Sequence, residues 1–275
     1  MPLLLILLSA AGIAGLAVIG AMLVFERRFI YVLDRPLWLQ PPEIGLTHEE
    51  TFLSTDDAHE IHAWLLPMSG APLTVLLCHG NAGTMSHRLE RAALMQRHLG
   101  VSVLLFDYRG YGRSKGRPDE RGTYRDARAA YRFLTETKGL PADRIVLFGE
   151  SLGAAVATQI ALEKPARALV LESPFASIPD MARAKFPALP PLGPLIRTRY
   201  DNVRKIAALK MPLLVLHGDQ DTLIPIDQGR RVFAAAPEPK RLLVIEGAAH
   251  NDTYAVGGEA YWSAWRAFLH ETAAR

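Results

Sequence analysis

A chain of 275 residues that is 49% hydrophobic has the apolar material for one large core or two small ones. Its 31 lysines and arginines stand against 28 aspartates and glutamates, so the formal charge is only +3. No dense basic tract stands out, which argues against nucleic-acid binding, and a single cysteine, Cys78 within TVLLCHG, excludes an internal disulfide framework and reads as a small buried hydrophobe.

From Leu3 to Phe25 no side chain is charged (LLLILLSAAGIAGLAVIGAMLVF). As a helix rising about 1.5 Å per residue this stretch reaches roughly 34 Å, enough for a ~30 Å hydrocarbon core. It lacks the basic start of a secretory signal, outruns the about 7–15 apolar residues of such a signal, and has no Ala-x-Ala site after it. The expectation is an uncleaved single-pass transmembrane helix over 1–25. Arg27, Arg28 and Arg35 follow it and no lysine or arginine precedes it, so the positive-inside rule puts the remainder on the cytoplasmic side. Residues 26–48, polar and proline-containing (DRPLWLQPPEIG), read as a connector to one domain over 49–275.

Two segments of strand character come next, TFLST and HEIHAWLLP. Short runs that are apolar at every position then recur: TVLLC, VSVLLF, RIVLF, RALVLE, PLLVLHG and RLLVIEG. Strands covered on both faces need such runs. Between most of them lie helical stretches with charged faces, such as 87–99 and 120–139. The alternation predicts an α/β fold, a mostly parallel sheet with helices on both faces. His59 and His62 in HEIHA would point to opposite faces of a strand and make no zinc pair. RGYGRSKG misses the spacing of a dinucleotide loop, and no Gly-Lys-Ser/Thr phosphate loop occurs. It reads as a tight turn carrying Tyr108 and Tyr111, and no metal, cofactor or nucleotide is expected.

The stretch LFGESLGAA sets Ser151 between two glycines, after the run RIVLF and before a helix-forming run of small residues. In a strand–turn–helix setting Gly-x-Ser-x-Gly forms a nucleophile elbow. Gly149 and Gly153 would let the turn close and the helix approach the strands, leaving the hydroxyl exposed beside the Leu152 amide at a helix N-terminus. The connection over 173–210 is long and broken by Pro187, Pro190, Pro191 and Pro194, which suits a short lid insertion better than a plain linker. A serine needs a base and the base an orienting acid. Asp221 in LHGDQDTLIP and His250 in GAAHND supply them, each just past a strand. Asp219 and Asp252 read as loop braces, Glu172 as the rival acid, and His79 and His217 as structural. The Asn81 amide in CHGNAG would give the second oxyanion donor.

Taken in order, HGNAG, DYRGYGRSKG, GESLGAA, LHGDQDTLIP and GAAHND resemble the α/β-hydrolase superfamily, especially its branch of small, membrane-anchored serine hydrolases, which includes protein depalmitoylases. The resemblance spans about residues 50–270. It implies an α/β-hydrolase fold with Ser151 as nucleophile, Asp221 as acid, His250 as base, and the Asn81 and Leu152 amides as oxyanion hole. Ala249 departs from the glycine that relatives often carry before the histidine. The expected activity is a serine hydrolase cleaving a carboxylic ester or thioester, on a small-molecule or lipid-linked acyl substrate, without a cofactor. A membrane-tethered binding or scaffold protein without turnover and a serine aminopeptidase are the alternatives; a dehalogenase would want a carboxylate in place of Ser151.

Overall fold

The computed structural model describes residues 26–187 and 193–272, together with Gly15 and residues 19–21. The expected transmembrane helix over 1–25 therefore falls almost wholly outside the described residues; among those described, no helix is long and apolar enough to cross a membrane. Residues 188–192 of the expected lid also lie outside them.

Eight strands form one sheet: β1 (Glu49–Ser54), β2 (Glu60–Leu66), β3 (Thr74–Cys78), β4 (Ser102–Phe106), β5 (Ile145–Glu150), β6 (Ala168–Glu172), β7 (Leu213–Gly218) and β8 (Lys240–Ile245). Their spatial order is β1-β2-β4-β3-β5-β6-β7-β8. β2 pairs antiparallel with both β1 and β4, and every other pair is parallel. Every residue of β3, β5, β6 and β7 is buried, as their unbroken apolar runs require. β1 at the edge is mostly exposed.

The helices are α1 (Glu26–Ile30), α2 (Leu89–Leu99), α3 (Glu120–Arg132), α4 (Leu152–Glu163), α5 (Ile178–Lys185), α6 (Asn202–Ile206), α7 (Ile226–Ala235) and α8 (Thr253–Glu271). The pleat sorts alternate strand residues into two cores. On one face Leu76, Leu104, Leu147 and Leu169 meet Ala127 and Ala130 of α3 and Ala155 and Ile160 of α4. On the other, Val75, Leu105, Phe148 and Val170 meet Leu89 and Met95 of α2 and Trp262 and Trp265 of α8. Local signals set the helix ends. The Asp119 carboxylate accepts from the Gly122 amide at 2.7 Å to start α3. Gly100, at φ 65°, ends α2.

β3 has β4 on one side and β5 on the other, so the chain reverses its winding direction there. Open α/β sheets bind ligands at such a switch point, beyond the C-terminal strand ends. The segment 26–44 does not hang free of this sheet. Tyr31 is buried with its hydroxyl 2.9 Å from that of Tyr200. The Gly112 amide donates to the Asp34 carbonyl at 2.9 Å.

Candidate active site

Ser151 joins β5 to α4 with φ 53° and ψ −116°, a left-handed conformation strained for any residue with a Cβ. Two close approaches impose it. A Cβ on Gly149 would lie 2.3 Å from the Gly153 carbonyl oxygen, and one on Gly153 would lie 2.0 Å from that of Cys78. Glycine alone lets α4 press onto β5 and β3 in this way. A serine at this point of a helix ordinarily caps the first turn. Ser151 makes no such bond, so its hydroxyl is not spent on the helix. It lines a cavity of about 910 Å³ together with Asn81 and Leu152.

Leu152 is the first residue of α4, and its N–H has no acceptor within the helix. The partner loop after β3 is pinned on both sides of Asn81. The Gly80 amide donates to Glu150 Oε1 at 3.0 Å. Arg88 Nη1 donates to the Ala82 carbonyl at 2.9 Å, while its Nε donates to the same Glu150 oxygen at 2.5 Å. The Asn81 side-chain oxygen accepts from the Tyr111 hydroxyl at 2.8 Å and the Val32 amide at 2.9 Å. Two orphan amides, Asn81 and Leu152, thus belong to rigid turns beside one hydroxyl.

Asp221 Oδ2 lies 2.7 Å from His250 Nδ1, a pair that does not itself line the Ser151 cavity, although Leu223 and Ile224 just after Asp221 do. Its Oδ1 accepts from the Leu223 and Ile224 amides at 2.9 and 2.8 Å. Burial pushes this carboxyl up, but the contacts from His217 and His250 and the Ile224 N–H outweigh it and hold the group well below the usual carboxylate range. With Nδ1–H donated to a carboxylate, the lone pair of His250 is on Nε2. The loops carrying the two residues interlock: the Gln220 amide donates to the Ala248 carbonyl at 2.9 Å.

A family model for the alpha/beta hydrolase fold matches residues 74–191. An alpha/beta hydrolase domain-containing protein of Arabidopsis thaliana is 33% identical over 289 residues, covering 95% of this chain and 94% of its own. This chain belongs to the alpha/beta hydrolase family. A Mycobacterium tuberculosis protein is 43% identical over 250 residues, covering 90% of this chain and 88% of its own. Among solved structures, an esterase from Pyrococcus furiosus matches with a TM-score of 0.73 at 22% identity, over 88% of this chain and 98% of that one, a likeness of fold.

Within this alpha/beta hydrolase the rival residues are otherwise engaged. Glu172 is held by Arg91 Nη1 and by the Tyr261 hydroxyl, each at 2.6 Å. Asp219 accepts from the Gly247 amide and Asp252 from the Ala249 amide, both at 2.7 Å, so each braces its loop. His79 is buried, with Nδ1 2.7 Å from the Gly80 carbonyl, and burial pushes it down to about 3. His62 lies on Glu50 at 2.6 Å, and His59 turns toward the Asp57 carbonyl at 3.1 Å.

Sequence reasoning missed the ionic layer under the hydrolase's elbow. Glu150 and Glu172 are register partners in β5 and β6, and Arg91 Nη1 bridges them at 3.2 and 2.6 Å. Burial raises the Glu150 carboxyl, yet Arg88 and Arg91 more than compensate and bring it down to about 2. One signal was present. A glutamate closing an apolar strand demands a buried cation, and Arg88 and Arg91 sit three apart at the start of α2.

Proposed function

We propose that this hydrolase cleaves acyl esters or thioesters through an acyl-enzyme on Ser151. The observation that carries the reading is Ser151 itself: a strained serine, uncommitted to its helix cap, beside Asn81 and Leu152 in one cavity. Ser151 Oγ attacks the acyl carbonyl carbon while its proton passes to His250 Nε2. Asp221 holds the tautomer and stabilises the imidazolium. The amides of Asn81 and Leu152 take the oxyanion's charge, a contribution usually worth about 3–4 kcal/mol per donor. Collapse breaks the bond to the alcohol or thiol, which leaves with the proton from His250. Water, deprotonated by the same imidazole, then releases the acid and restores Ser151. Every proton is accounted for by His250 and water, and no step calls for a cofactor.

Phe175 and α5 residues Ile178 and Met181, from the 173–210 connection, wall the cavity with apolar surface. That supports a lid and a hydrophobic or lipid-linked acyl group. The anchor over 1–25 would hold the enzyme at a membrane, with the catalytic domain on the cytoplasmic side.

A fluorophosphonate probe applied to membrane and soluble fractions tests the reading. Wild-type protein is expected to label in the membrane fraction, and Ser151→Ala, with an unchanged melting curve, is expected to lose the label. Folded wild-type protein that takes no label would instead put the binding or scaffold reading ahead.

A further inference from the structure

The cavity that holds Ser151 is also lined by Glu26 and Ile30 of α1. Glu26 is the first residue after the uncharged stretch that ends at Phe25. One wall of the cavity therefore begins where the apolar segment stops, and Glu26 to Ile30 is a rise of only about 6 Å along a helix.

That wall is fixed. The Glu26 carboxylate accepts from the Arg197 and Thr198 amides at 3.2 and 2.7 Å, tying α1 to the stretch that supplies Ile196 and Arg199 to the cavity. Tyr31 is buried against Tyr200. The Val32 amide holds Asn81, the candidate oxyanion residue. No slack separates the end of the apolar segment from the site.

The surface around the cavity has matching chemistry. Val32, Leu33, Phe186 and Leu195 are each about half exposed, at 53%, 48%, 46% and 53%. Phe186 lines the cavity with Arg183 and Lys185, and Arg27, Arg28 and Arg197, also exposed, lie within three residues along the chain of the lining residues Glu26, Ile30 and Ile196. Large apolar side chains mixed with arginine and lysine are what a surface needs to settle between acyl chains and anionic headgroups.

We infer that the site takes its acyl substrate directly from the bilayer that holds the anchor, with α1 serving as a rigid coupling that sets the cavity at the lipid surface. This rests on the serine-hydrolase reading and on the anchor. The class of substrate is an ester or thioester whose acyl chain resides in the membrane, not one dissolved in water.

The test uses the full chain in phosphatidylcholine vesicles containing phosphatidylserine, with two substrates: 4-methylumbelliferyl palmitate dissolved in the vesicles and 4-methylumbelliferyl acetate in the buffer. A Gly-Ser linker of about 20 residues, roughly 25 Å in mean span, is inserted between Phe25 and Glu26. It keeps both the anchor and the docked segment but uncouples them. Turnover of the acetate is expected to be unchanged, and turnover of the palmitate to fall about tenfold or more as the effective concentration of bilayer at the cavity drops. Equal turnover of palmitate with and without the linker overturns the inference. So does an equal fall for both esters from a variant that melts like the wild type, because the coupling would then not discriminate membrane-borne from dissolved substrate. Wild-type protein that cleaves neither ester and takes no fluorophosphonate label fails the hydrolase reading and the inference with it.

Discussion

A second imidazole lies beside Asp221. Besides His250, Asp221 has His217 Nε2 3.4 Å from Oδ2, while that same N–H is donated to the Ile224 carbonyl at 2.9 Å. Ile224 in turn donates its amide to Asp221 Oδ1, so ring, carbonyl and carboxylate fix one another. Gly229 of α7 closes the pocket behind the ring, since a Cβ there would fall 2.2 Å from His217 Nδ1. Under the proposed mechanism His217 is a positioning residue. His217→Leu is expected to lower kcat about tenfold with little change in KM, as the turn that carries Asp221 loses its tie through the Ile224 carbonyl. His217→Gln, which restores an N–H, is expected to bring kcat part of the way back with KM unchanged. A purely structural role would shift the melting temperature and leave the kcat of the folded protein in place. Glu150 makes a second test. Its folded carboxyl stands at about 2 and its unfolded one near the usual value, so its stabilisation is complete above about pH 4.5 and is lost as pH falls toward 2. The total is about 3 kcal/mol. Glu150→Gln is expected to unfold more readily at pH 7, yet to lose less of its urea midpoint between pH 5 and pH 3 than the wild type.

At the level of elements, the turn between β5 and α4 is the tightest joint among the described residues. Gly153→Ala would put a methyl group into the Cys78 carbonyl and lever α4 off the sheet. A loss of about 3 kcal/mol in urea unfolding is expected, together with loss of fluorophosphonate labelling. This joint was legible in LFGESLGAA, as were all eight strands to within two residues, because an unbroken apolar run between polar turns has few other uses. Their order was not. TVLLC, VSVLLF and RALVLE are interchangeable as patterns, and nothing in them says that β3 rather than β4 sits next to β5. β5 also runs two residues past RIVLF, because its ladder to β6 continues through Gly149 and Glu150. α2 was read by its charged face, yet Arg91 is buried there. A charge that points inward at a partner from another strand looks the same in sequence as one that points at water.

Across the whole molecule the least legible part was the segment 26–44. Its prolines and charges suit a linker, and its contacts are made with residues far along the chain, such as Asn81, Asp119 and Tyr200. Its worth can be measured. Tyr31→Ala is expected to cost about 3–5 kcal/mol, as for a buried aromatic removed from a core. Tyr31→Phe, which deletes only the bond to Tyr200, should cost about 1 kcal/mol. Thermal melts that neither substitution displaces from the wild-type curve would show that the segment is not part of the folded unit.

The order of the strands also has a consequence in time. Ser151, Asp221 and His250 follow β5, β7 and β8, and the sheet grows outward from the first of these to the last. On a ribosome the strained elbow is made long before His250. Under the proposed mechanism a nascent chain would have the serine, then its acid, and stay chemically silent until the loop after β8 is released and docks. The protein would then be inert throughout its own synthesis, with hydrolytic capacity arriving in a single late step.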